Sequence, residues 1–311
     1  MPSARMGAPY CRRCGGPHRS PAGDRSASRN LPYARRLPAA GILRCVSHRF
    51  AYLDSPAPIA FAHRGGAARG DENTAEAFGR AVGLGYRYVE TDVHGTADQV
   101  AVVFHDPTLD RVTGDKGSIA RLRWADLATV RVGGASVVPR LDDVLDSWPQ
   151  VRFNIDVKAD GGVQPTLAAV DRCAAADRVL LASFSDRRLH RLRTSTGGRV
   201  ATSLGMQAVT RLRVGSLTGR RLRLPPSVVA AQVPVRFNRV RVVDARFVAY
   251  CHRLGLQVHV WTIDEPAQMH ELLDLGVDGI MTDHVEVLRD VYLARGHWPP
   301  DRRVDMDHAA R

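Results

Sequence analysis

Pro58-Ile59-Ala60-Phe61-Ala62-His63-Arg64-Gly65-Gly66 is a short apolar run that ends in an imidazole, a permanent cation and two glycines. The run has the length of a buried strand, and the glycines let the backbone turn sharply as it leaves that strand. A His-Arg pair at such a point is either an exposed turn or an anion site. The rest of the chain has to decide between these. Seven further runs follow, at 86–93, 151–157, 179–184, 200–204, 228–233, 258–263 and 279–282, separated by helical segments such as 73–83, 163–176 and 265–275. Such alternation argues for parallel βα units, and eight of them in about 250 residues are the size of a (β/α)8 TIM barrel of the α/β class.

One run breaks the alternation. Residues 100–104 follow the second strand after only Gly95 to Gln99, too few for a crossover helix, so this connection is expected to be a hairpin and the run antiparallel. A turn centred between Ala97 and Asp98 sets His105 opposite Glu90 and folds it over the barrel mouth. The first helix is expected to start at Asn73 as N-cap, with Glu76 completing a capping box. Residues 107–147 form a long connection with turns at Gly114, Gly117, Gly133 and Gly134.

The net charge of +12 is unevenly spread. Residues 1–50 hold ten Arg against one acid, Asp24, a charge of +9, which leaves only +3 for residues 51–311. That first segment, rich in Arg, Pro, Gly and Ser and without sustained periodicity, is expected to be disordered. Its Cys11, Cys14 and His18 resemble half of a zinc site, but a closed structural site needs four ligands. Three regions result: a disordered basic segment over 1–50, a barrel over 56–295 and a flexible tail over 296–311. No apolar run approaches the ~20 residues that span a bilayer, and the N-terminus shows no export-type apolar core. Five cysteines, an odd number, fit reduced thiols and a cytoplasmic setting.

In a barrel the C-terminal ends of the strands meet at one face. Here they contribute His63 and Arg64, then Glu90 and Asp92, then Asp156 and Lys158, then Trp261, with His105 added by the hairpin. Side chains alternate along a strand, so Glu90 shares a face with Asp92, and Asp156 with Lys158. Three carboxylates in a nearly dry mouth repel one another unless a cation neutralises them. They read either as oxygen ligands of a hard divalent ion, Mg2+ or Ca2+, or as partners of nearby Arg and Lys in structural bridges. Two histidines beside such a cluster suit proton transfer around a phosphoryl centre, with Arg64 and Lys158 on the non-bridging oxygens. The other histidines are assigned to surface or core.

The ordered set His63-Arg64-Gly65, Glu72-Asn73-Thr74, Glu90-x-Asp92-Val93, His105-Asp106, Asp156-x-Lys158, Trp261-Thr262 and 276–283 resembles the glycerophosphodiester phosphodiesterase family over about residues 56–290. The resemblance implies a barrel that hydrolyses glycerophosphodiesters to an alcohol and glycerol 3-phosphate with a divalent cation. It implies His63 and His105 as the acid/base pair, Arg64 and Lys158 on phosphate, Trp261 at the substrate, and Glu90, Asp92 and Asp156 as metal ligands. Four positions depart from the family pattern: Asp156 stands where Glu is usual, Asp71 where Pro is common, Gln99 where Gly is common and Asp264 where Asn is common. The last is expected to alter how polar substrate ends are read.

Two other readings remain. The same chemistry on lysophospholipids, a lysophospholipase D-like reaction, needs an apolar slot beside the mouth, and the Arg- and Leu-bearing stretch 205–228 could touch an anionic membrane, although an ordinary helix and loop explains it as well. A nucleic-acid-binding role through residues 1–50 lacks interleaved aromatics and any complete motif. The expected partner is thus a small glycerophosphodiester, with no specific nucleic acid and at most peripheral membrane contact. Deleting residues 1–50 is expected to leave diesterase turnover unchanged in a steady-state assay.

Overall fold

The computed structural model describes residues 50–298 except Ala135. The basic segment with Cys11, Cys14 and His18, and the tail beyond Trp298, lie outside them. Eight parallel strands form the barrel: β1 Ile59–Ala62, β2 Tyr88–Gly95, β3 Arg152–Val157, β4 Val179–Ala182, β5 Ala201–Ser203, β6 Val228–Pro234, β7 Gln257–Trp261 and β8 Gly279–Thr282. Neighbours in sequence are neighbours in the sheet, and β1 pairs with both β2 (Phe61 with Tyr88) and β8 (Ile59 with Gly279), which closes it. The (β/α)8 expectation holds, as does the hairpin: Ala101–Val103 pairs antiparallel with the end of β2.

The register of that hairpin differs from expectation by one residue. Val93 faces Val103, so continuing the ladder sets His105 opposite Thr91 rather than Glu90. The cause is the turn. Thr96 N–H donates to Val100 O at 3.0 Å while Gln99 takes a φ of 62°, so the turn carries one extra left-handed residue of the bulged three-residue type. The first helix is also corrected. It runs over Ala75–Gly83 with Thr74 as N-cap, whose hydroxyl accepts from Ala77 N–H. Asn73, at φ 61°, instead turns its amide inward, accepting from Thr91 Oγ1 at 2.8 Å and donating to Asp92 Oδ2 at 2.9 Å. Asn tolerates this left-handed backbone, and its side chain is worth more as a brace for Asp92 than as a cap.

Inside the barrel lies a cluster of Phe61, Tyr88, Leu180, Ala201, Val229 and Met281, joined by Tyr52 and Leu53 from the turn before β1. Phe50 packs on the same cluster. Deeper polar groups are paired among themselves: Gln232 Nε2 donates to Asn154 Oδ1 at 3.0 Å and lies 3.3 Å from His259 Nδ1. Burial pushes the His259 imidazole down to about 4, so it is a neutral core residue as its assignment required. At the other end of the chain, the Trp298 ring stands 4.9 Å from that of Tyr86, so residues 297 and 298 pack on the body. Among the described residues no helix is long and apolar enough to cross a membrane.

The two glycines after His63 have a packing reason. A Cβ on Gly65, at φ 82°, would sit 2.7 Å from Phe78 Cδ1, and one on Gly66, at φ 95°, 2.8 Å from Val285 Cγ1. The loop is thus pressed between the first and last helices. Gly65→Ala is expected to cost roughly 2–4 kcal/mol from overpacking plus left-handed strain, read as a lower urea midpoint at constant slope.

Candidate active site

The loops leaving β8, β1, β2 and β3 bring most of the expected polar residues together. Each histidine is held by its Nδ1. His63 Nδ1 lies 2.7 Å from Asp283 Oδ1, just beyond β8, and His105 Nδ1 lies 2.6 Å from Asp106 Oδ1. A carboxylate on Nδ1 sets the ring orientation and the tautomer, which leaves Nε2 of each neutral ring as the proton acceptor. Burial disfavours the His63 cation, but Glu90 and Asp283 outweigh it and raise its pKa. Its Nε2 stands 3.7 Å from Glu90 Oε2.

Between the histidines runs a chain of alternating charges. Asp106 Oδ2 accepts from Arg111 Nε at 2.5 Å, and Arg111 grips both oxygens of Glu72 at 2.9 and 2.6 Å. Glu72 Oε1 also accepts from Arg64 at 2.9 Å. Arg64 Nε stands 3.2 Å from Asp92 Oδ2, a charge contact whose angle leaves that N–H without an acceptor. Lys158 Nζ then sits 2.7 Å from Asp92 Oδ1 and 2.7 Å from Asp156 Oδ2. Arg64 carries a φ of 53°, which aims its backbone N–H at Glu90 Oε2, 3.1 Å away.

The carboxylates differ sharply in charge state. Burial and the neighbouring Asp92 push the Glu90 carboxyl up to about 7 against the pull of His63, Lys158 and Arg64. For Asp92 burial works the same way, but Lys158, Arg64 and His105 outweigh it and hold the group down to about 2. Asp156 Oδ1 is buried without a hydrogen-bond partner. An orphaned oxygen and a carboxylate whose charge is disfavoured by burial and by Asp92 both call for one more positive charge, and an all-oxygen donor set suits a hard cation. The residues therefore fit a divalent ion. Among the described residues, however, they do not converge on one point as three ligands, because the Lys158 ammonium stands between two of them.

Trp261 lies apart from these charges, its ring 5.6 Å from that of Phe184, while Lys158 Nζ lies 5.7 Å over the Phe184 ring. Asp264, expected to alter how polar substrate ends are read, accepts from Thr282 Oγ1 at 2.8 Å and from Asp283 N–H at 2.9 Å. It braces the loop that holds His63. Sequence reasoning quoted Glu72, Asp106 and Asp283 within motifs without giving them roles. Arg111 was missed altogether, since one Arg in a long Arg-rich connection carries no local signal.

The glycerophosphoryl diester phosphodiesterase family matches residues 63–287. The chain belongs to this family. It is therefore a phosphoric diester hydrolase. It is 42% identical over 244 residues to Probable glycerophosphodiester phosphodiesterase 2 of Mycobacterium tuberculosis, covering 77% of this chain and 92% of that one. Among solved structures, the fold matches a glycerophosphodiester phosphodiesterase from Agrobacterium tumefaciens with a TM-score of 0.63, at 23% identity over 76% of this chain and 99% of that one. It also matches an Oleispira antarctica phosphodiesterase in complex with sn-glycerol-3-phosphate, with a TM-score of 0.64 at 20% identity, over 76% and 96% of the two chains.

Arg111 joins the hairpin side of this phosphodiesterase mouth to the loop after β1. Arg111→Ala is expected to lower kcat roughly tenfold to a hundredfold by loosening His105, with a smaller change in KM, and Arg111→Lys to restore part of it. Steady-state kinetics on protein with unaltered circular dichroism checks this.

Proposed function

We propose that the enzyme cleaves glycerophosphodiesters to an alcohol and sn-glycerol 3-phosphate, with His63 and His105 as the acid/base pair. The observation that carries this is the shared geometry of the two rings, each with Nδ1 on a carboxylate and Nε2 left for proton transfer. In the first step, Nε2 of one imidazole takes the proton of an attacking glycerol hydroxyl while Nε2 of the other gives a proton to the departing alcohol oxygen. An internal hydroxyl has a proximity advantage over water. Water then opens the resulting cyclic diester with the two roles reversed, so both rings return to their starting states.

Arg64 and Lys158 bind the non-bridging phosphate oxygens, and Trp261 lines the substrate side. Glu90, Asp92 and Asp156 would hold the divalent cation, Mg2+ or Ca2+, which when bound would supply further neutralisation of the phosphoryl oxygens. The substitution of Asp for the usual Glu at 156 shortens one ligand but keeps its charge. We also place the enzyme in the cytoplasm, in keeping with Cys173 and Cys251 as free thiols.

A lysophospholipase D-like action is favoured by one observation, the Phe184–Trp261 ring pair beside Lys158, which offers apolar surface to an alcohol bearing a chain. Relative kcat/KM on glycerophosphocholine and lysophosphatidylcholine separates the two. Purified protein is expected to hydrolyse glycerophosphocholine, to lose the activity to chelator and to regain it with Mg2+ or Ca2+. His63→Ala and His105→Ala are each expected to lose at least about 10²-fold in kcat, the low end for a general acid or base. Full activity in either variant would remove that histidine from the mechanism.

A further inference from the structure

Among the described residues eight large apolar side chains are exposed, and four of them follow consecutive strands: Phe184 in the loop after β4, Met206 at the first position of the helix after β5, and Phe237 and Val240 after β6. These segments belong to the C-terminal face of the barrel, the face that carries the polar cluster, but to its opposite half. Met206 N–H donates to Phe184 O at 3.0 Å, so the first two segments are joined. The third is a small hairpin, Arg236-Phe237-Asn238-Arg239-Val240-Arg241, in which all six residues are exposed.

Its register places Phe237 opposite Val240 and Arg236 opposite Arg241, with Asn238 at φ 52° making the turn. An aromatic–aliphatic pair at the end of a two-stranded ribbon buries nothing within the barrel, yet it is flanked by cations on both strands. Arg241 is occupied, with Glu271 at 2.9 Å. Arg236 and Arg239 make no ion pair among the described residues. On the flanking segments, Asp244 is taken by Arg213 at 2.7 Å and Asp264 is turned inward onto Thr282. The hairpin therefore presents apolar surface with unneutralised positive charge around it.

We propose that this hairpin is a membrane-contact element, and that it seats the barrel mouth against a bilayer rich in anionic phospholipid. Apolar side chains that enter the headgroup boundary, flanked by Arg that meets lipid phosphate, are the two components of reversible interfacial binding. The charge pattern selects this occupant over a neutral lipid surface. Phe184 and Met206 extend the apolar contact toward the mouth, so docking would shield one half of it from water and leave the charged half above the headgroups. The inference is independent of the reaction, since none of the hairpin residues belongs to the proposed catalytic cluster.

The test uses the full chain with vesicles of phosphatidylcholine in which about one lipid in three is anionic phosphatidylglycerol, and with pure phosphatidylcholine, at low and high salt. The chain is expected to sediment with the anionic vesicles only. Phe237→Ser with Val240→Ser, and separately Arg236→Ala with Arg239→Ala, are each expected to weaken that binding roughly tenfold or more. Turnover of soluble glycerophosphocholine is expected to stay unchanged in both. Because the basic residues 1–50 could bind such vesicles by themselves, Phe237→Trp supplies a local readout. The emission added by this substitution is expected to shift to the blue on vesicle binding and to be quenched by dibrominated lipid. Absence of sedimentation overturns the proposal, as does sedimentation in which the hairpin variants bind like the parent and the emission added by Phe237→Trp is unmoved.

Discussion

Three carboxylates on two adjacent buried strands are the constraint from which the architecture of this mouth follows. Glu90, Asp92 and Asp156 are nearly inaccessible to water, and Asp92 and Asp156 are direct partners in the β2–β3 register. Water cannot screen their repulsion, so the protein must supply positive charge within a few ångströms. It does so from two directions: Lys158 from the end of β3, and Arg64 from the loop after β1. Lys158 is one of only two lysines in the chain, against 42 arginines. Its place explains the exception. A compact ammonium can stand 2.7 Å from each of two carboxylates at once, where a planar guanidinium would need room for its fork.

That balance is local, and it leaves Glu90 unsatisfied while Asp92 is over-served. The contrast between a carboxyl pushed up to about 7 and a neighbour held down to about 2 follows from burial being offset by partners in one case and not in the other. Arg64 reaches Glu90 only through its backbone N–H, since its side chain is committed to Glu72 and Asp92. The left-handed backbone at Arg64 is what permits both contacts from one residue, and the glycines that follow let the chain escape between two helices. Backbone strain at this point thus serves the electrostatics.

Much of this was legible in the sequence, and the misses share a physical cause. Strands and their order came from apolar runs, because burial on both faces leaves a near-continuous apolar stretch. Six of the side chains named from strand ends, all except Trp261, fall in one half of the mouth together with His105 from the hairpin. What could not be read was how one polar residue is spent among competing partners. Asn73 looked like a helix cap, yet its amide bonds to Asp92 and Thr91 across the loop. Asp264 looked like a substrate contact, yet it braces Asp283. Arg111 lies 39 residues from Glu72 in sequence and is joined to it only by tertiary folding. The register error at His105 was of another kind: a left-handed Gln99 adds a residue to a turn, and only Gly or Asn would have announced it.

The two halves of the mouth bear on why the sequence gives no code for the alcohol. The half from β8, β1, β2 and β3 holds every charge of the ion-pair chain, with each side chain except Asp156 pinned by two or three partners. The half from β4 to β7 adds exposed apolar groups, among which Phe184 is about half exposed and meets Trp261 edge-on. In the proposed reaction a phosphate would meet the directional partners of the first half, and the group esterified to it would face Phe184 and Trp261, apolar contacts that discriminate weakly between isosteres. Lys158 belongs to both halves, bridging Asp92 and Asp156 while lying over the Phe184 ring.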